Sequence, residues 1–113
     1  MVKIYHNNKC GKSRTALKEL TAAGLEVEVI EYLKTPPSST ELSRILLLLD
    51  MEPQNLVRKT EKYYKENISK LSLSRRGWIK VLVENPILIE RPIVVRGEKA
   101  IVGRPPEKVL DLL

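Results

Sequence analysis

The sequence predicts an α/β fold with a mixed sheet, built as a βαβ unit, a helical insertion and a closing ββα unit. Three observations carry that prediction. An apolar run at Val2–Tyr5 gives way to helical spacing before Gly24, the middle of the chain holds helical stripes broken by prolines and charges, and two short β-rich runs flank Arg96-Gly97-Glu98. With 113 residues the chain forms one domain, 1–113, with an ordinary core that needs neither metal nor disulfide.

Val2 to Tyr5 reads as the first strand, and Ala16, Leu17, Leu20 and Ala23 keep helical spacing up to Gly24, a natural stop. Leu25 to Tyr32 alternates apolar Leu25, Val27 and Val29 with Glu26 and Glu28, as a second strand does. Thr35-Pro36-Pro37-Ser38 ends it and opens a helical insert of about 38–86. There Ser38 and Glu41 have capping-box spacing, and Leu42, Ile45, Leu46 and Leu49 form an inward stripe. Leu47 and Leu48 widen that stripe, which predicts burial between neighbouring elements. Glu52–Ser74 reads as short helices and turns, and Ser74 caps a helix carrying Trp78, Val81 and Leu82 inward until Asn85-Pro86.

Pro92–Val95 and Lys99–Val102 form a hairpin across a glycine turn, and Pro105 opens a closing helix with Val109, Leu110 and Leu113 on one face. This order is that of a thioredoxin-like fold, with the first two strands parallel and the hairpin antiparallel. Such a sheet brings the turn at Cys10 near Arg91-Pro92, where Pro92 is a candidate for a cis bond.

Cys10 is the only cysteine, so the chain makes no internal disulfide. A lone cysteine is ordinarily a small buried hydrophobe. Here it stands at a strand-to-helix turn, where unpaired N–H groups and the helix dipole favour a thiolate. His6, Lys9, Lys12 and Arg14 surround it in sequence. His6 either holds the loop by hydrogen bonding or, protonated, lowers the thiol pKa. Ser13 either caps the helix or hydrogen-bonds the sulfur.

The formal charge of +6 and pI near 9.6 draw anions without choosing among them. Four tyrosines and one tryptophan make a poor stacking platform for single strands. No secretory signal and no membrane-length apolar run stand out, so the expectation is a cytoplasmic monomer without membrane or nucleic-acid partner. No His, Cys or carboxylate cluster has metal-ligand spacing, and no metal is expected.

The segment Tyr5-His6-Asn7 through Cys10-Gly11-Lys12-Ser13-Arg14 resembles the opening motif of the glutathione- and glutaredoxin-dependent arsenate reductases. Leu56-Val57-Arg58-Lys59, the run from Asn85-Pro86 to Arg91-Pro92-Ile93-Val94-Val95, and Gly103-Arg104-Pro105 resemble that family's three arginine-bearing segments, in order. The likeness spans almost the whole chain, which looks more like the family's shorter, chromosomal members than its plasmid-type ones. It implies a catalytic Cys10, an oxyanion cradle of Arg58, Arg91 and Arg104, and support from His6, Ser13, Arg14 and Pro92. It also implies arsenate as substrate, a covalent thiol adduct, no bound cofactor, and glutathione and glutaredoxin as outside reductants.

Elementary chemistry is consistent with these implications. Guanidinium groups bind tetrahedral oxyanions through paired, charge-assisted hydrogen bonds. Thiol exchange requires a second thiol, and this chain has none: Ser13 stands where a C-x-x-C motif would supply it. The six-residue cysteine-to-arginine spacing of a phosphatase loop is also missing, because Ala16 stands there. Two other readings fit parts of the pattern. One is a thiol-disulfide reductase with another substrate, and the other is a regulator of the same fold that binds RNA polymerase, although such regulators often carry a C-x-x-C switch.

Overall fold

The computed structural model describes residues 1–113. In chain order its regular elements are β1 (Val2–His6), α1 (Gly11–Ala22), β2 (Val27–Glu31), α2 (Ser39–Leu49), α3 (Arg75–Glu84), β3 (Ile93–Arg96) and β4 (Lys99–Val102), with short 3₁₀ and π turns between and after them. They fall into two compact units, one of residues 1–35 with 91–113 and the other of residues 36–90.

The first unit holds the sheet, in the order β2-β1-β3-β4. β1 and β2 run parallel, while β1–β3 and β3–β4 are antiparallel. That is the thioredoxin-like arrangement read from the sequence. β1 lies inside the sheet, and its alternation places Val2 and Ile4 on one face, where they pack with Val94 of β3 and with Ala16 and Leu20 of α1. Val109 and Leu112, from the 3₁₀ turn Pro106–Leu112, complete this core. Each valine, leucine and isoleucine side chain here contributes roughly 1.5–3 kcal/mol on burial. β2 is an edge strand, shorter than predicted, and Val29 on it is 43% exposed. Gly24 stops the chain after α1 at φ +82, and Gly97 opens the two-residue hairpin loop at φ +61, a left-handed conformation that suits glycine.

Two expectations in this unit are corrected. Ala23 does not extend the helix as its spacing predicts: it is the exposed C-cap of α1, one position past the last helical residue. The closing element is a 3₁₀ turn rather than an α-helix, with Pro105 just ahead of it and Pro106 at its first position. Three residues per turn bring positions 109 and 112 to the same side, so Leu112 is buried, Leu110 is half-buried and Leu113 is 61% exposed.

The second unit is the insertion. Ser38 caps α2 by accepting the Glu41 N–H at 3.1 Å, and Ser74 caps α3 by accepting the Gly77 N–H at 3.1 Å. The Val57–Ile89 bridge pairs two extended pieces, with Arg58 N–H on Leu88 O at 2.7 Å and Glu90 N–H on Leu56 O at 2.8 Å. This pairing carries the unit past Pro86 to Glu90. Leu42, Ile45 and Leu46 are the buried residues of α2, whereas Leu47 is 75% exposed and Leu48 and Leu49 half-buried, so the widened stripe is only partly covered. In α3 the buried positions are Ile79 and Leu82, and Trp78 and Val81 flank them half-buried instead of forming the centre.

Candidate active site

Cys10 is the N-cap of α1, in extended conformation at φ −94 and ψ 121, and is partly exposed. Asn7 shapes the turn that presents it. Its carbonyl accepts the Cys10 N–H at 2.9 Å, its Oδ1 accepts the Lys9 N–H at 3.0 Å, and its own N–H donates to Ser13 Oγ at 3.1 Å. Asn7 was not singled out from the sequence. The signal that marks it is the Asx-turn habit of an asparagine bonding the backbone two residues on, directly after a strand.

Ser13 is fully buried, and its Oγ also lies 2.7 Å from His6 Nδ1. Its hydroxyl therefore serves the loop, neither capping α1 nor reserved for the sulfur. His6 is buried too. Burial holds its imidazole below the ordinary pKa; the Glu31 carboxylate opposes this and the Arg14 guanidinium adds to it. Of the two readings of His6, the loop-holding one matches this neutral ring. Lys9, Lys12 and Arg14 are exposed, and Arg14 Nη1 braces the turn through Asn8 O at 3.0 Å.

Two arginines reach the sulfur. Arg104 Nη2 lies 4.0 Å from Cys10 Sγ, while its Nε donates to the Arg91 carbonyl at 2.9 Å. Arg91 is only 8% exposed and points its guanidinium at the same sulfur. Both arginines precede a cis proline, Pro92 and Pro105. Burial pushes the Cys10 thiol up, but the Ser13 N–H, the Arg91 side chain, the Lys12 N–H and the Arg91 charge outweigh it, and the thiol stands below its ordinary value. Cys10 makes no side-chain cap hydrogen bond, yet the two N–H groups still favour the charged sulfur.

Arg58 lies in the second unit, where its Nε is 3.3 Å from Glu61 Oε1. The structure thus gathers Cys10, Arg91 and Arg104, supported by His6, Asn7 and Ser13, within the first unit. A partly exposed thiolate beside two fixed guanidinium groups is equipped to attack the central atom of a bound oxyanion.

The model of the ArsC family matches residues 5–112. The chain belongs to the ArsC family. It is 47% identical to the uncharacterized protein YfgD of Escherichia coli over 114 aligned positions, covering 99% of this chain and 96% of that one. It is 40% identical to the arsenate reductase of Haemophilus influenzae, over 97% of each chain. Among solved structures, the ArsC-family fold superposes on an arsenate reductase from Vibrio cholerae with a TM-score of 0.94 and 46% identity, covering 99% of this chain and 97% of that one. Cys10, Arg91 and Arg104 all fall inside the span matched by the ArsC model.

Proposed function

We propose that this protein is an arsenate reductase that works through Cys10 with glutathione and glutaredoxin as its thiol sources, in the reducing cytoplasm. One observation carries the reading: the chain's single thiol is favoured as thiolate by the same guanidinium groups that would bind the oxygens of arsenate. Arg58 is assigned to the same oxyanion by resemblance of its segment.

The chemistry balances as follows. Cys10 thiolate attacks arsenic and one oxygen leaves as water, giving a thiol adduct still at arsenic(V). The glutathione thiol displaces a second oxygen as water. A glutaredoxin thiolate then attacks the glutathione sulfur, and the electron pair of the broken arsenic–sulfur bond stays on arsenic, which becomes arsenic(III). Water releases arsenite and restores Cys10. The net change is one arsenate and two thiols to one arsenite, one disulfide and one water. Arg91 and Arg104 hold the oxygens and spread their charge, and the Ser13 and Lys12 N–H groups favour Cys10 as a leaving thiolate in the last step.

Arsenate-dependent oxidation of glutathione in the presence of glutaredoxin tests the reading. Cys10→Ser is expected to abolish it, and turnover that survives this substitution removes Cys10 from the mechanism.

A further inference from the structure

An open groove of ≈ 1060 Å³ runs along the outer side of α1. It begins at Asn8 and Gly11, which stand on either side of Cys10 in the chain, and extends to Ala22. Its charged lining is of one sign only, from Lys12, Arg14 and Lys18, with no aspartate or glutamate among the lining residues. Leu17 and Pro106 give it an apolar floor. The mechanism above uses none of Lys12, Arg14 or Lys18 through its side chain at the sulfur. The volume lies at the upper end of small-ligand pockets, about 300–1,000 Å³.

Length decides what would lie in it. The 12 residues of α1 make a helix about 18 Å long. An extended chain covers at most about 3.5 Å per residue, so a tripeptide thiol fills little more than half of the groove, whereas a segment of roughly five residues fills it. The chemistry also requires a second sulfur source, because Cys10 is the only cysteine.

Resting on the arsenate reductase reading, we infer that the α1 groove docks an acidic, extended segment of the thiol protein that delivers the final reducing sulfur to the Cys10 site. The cations along α1 hold the partner's carboxylates, and the groove's start beside Cys10 sets where the partner's thiol arrives. Attraction of this kind acts on encounter and is screened by salt.

The test is calorimetric titration of the full-length Cys10→Ser protein with a reduced, acidic glutaredoxin at low ionic strength. Lys18 is exposed in the groove, and Lys80 is an exposed lysine on α3 that serves as the charge-matched control. Lys18→Glu is expected to weaken binding about tenfold or more, while Lys80→Glu leaves it unchanged. Equal weakening by both substitutions, no effect of Lys18→Glu, or no binding before substitution overturns the proposal. So does an equal rise in the KM for glutathione with Lys18→Glu in the Cys10 enzyme, which would make the groove a small-thiol site. Binding that behaves as expected in a protein without arsenate turnover would instead sink the functional reading and leave the groove standing.

Discussion

Cys10 Sγ is acted on by groups from both ends of the first unit: backbone N–H groups of Lys12 and Ser13, and the guanidiniums of Arg91 and Arg104. Because these stabilise the thiolate, its fraction persists to lower pH than for a free cysteine. The pH midpoint of Cys10 alkylation by iodoacetamide is therefore expected below the ordinary thiol range. Arg91→Gln, which removes a hydrogen bond and a charge, is expected to move that midpoint up. An unshifted midpoint would show that Arg91 does not tune the sulfur. The position of Cys10 at a helix start was legible from the switch between strand and helix periods. The partners were not. Lys9, Lys12 and Arg14 are near in sequence yet exposed, while the cations that reach the sulfur are Arg91, whose segment the strand order brings near Cys10, and Arg104, which only the family resemblance had marked.

Among the elements, the hairpin's exit shows why its motif contains glycine. A Cβ on Gly103 would stand 2.8 Å from Pro92 Cγ and 3.0 Å from Val109 Cγ1, and the Gly103 N–H already bonds the Pro92 carbonyl at 2.8 Å. A proline ring cannot swing away as a flexible side chain does. Gly103→Ala is therefore expected to destabilise the protein by about 1–3 kcal/mol in urea unfolding and to lower activity, since Pro92 and Val109 flank the arginine segments. Stability equal to the parent would show that the backbone relaxes freely here. On α2 the contrast lies between adjacent leucines. Leu46→Ala is expected to cost about 2–5 kcal/mol, and Leu47→Lys to stay within about 0.5 kcal/mol, both read by the same unfolding measurement. The period of α2 was legible and its width was not, because a run of four leucines marks several faces at once. The closing turn was misread for a related reason: apolar residues at 109, 110, 112 and 113 satisfy either helical period, and packing selected the tighter one.

At the scale of the whole molecule, the net charge of +6 gives a field that gathers oxyanions. The KM for arsenate is expected to rise several-fold with added inert salt while kcat changes little, because screening weakens capture more than the contacts within the site. A salt-independent KM would leave only short-range contacts in control. The directions of the first strand pair and of the hairpin were legible because connection rules leave few choices for this sequence of elements. The extent of the insertion was less so, since the Val57–Ile89 bridge that carries it to Glu90 joins segments too far apart in sequence for periodicity to link them. That interruption has a consequence during synthesis. The ribosome makes residues 36–90 before it makes β3, Arg91 and Arg104, so β1 and α1 emerge without the strand and core residues that complete their unit. Until those arrive, Cys10 lacks the two guanidinium groups that favour its charged form, and a nascent chain carries its thiol through the cell's electrophiles and oxidants in a less reactive form.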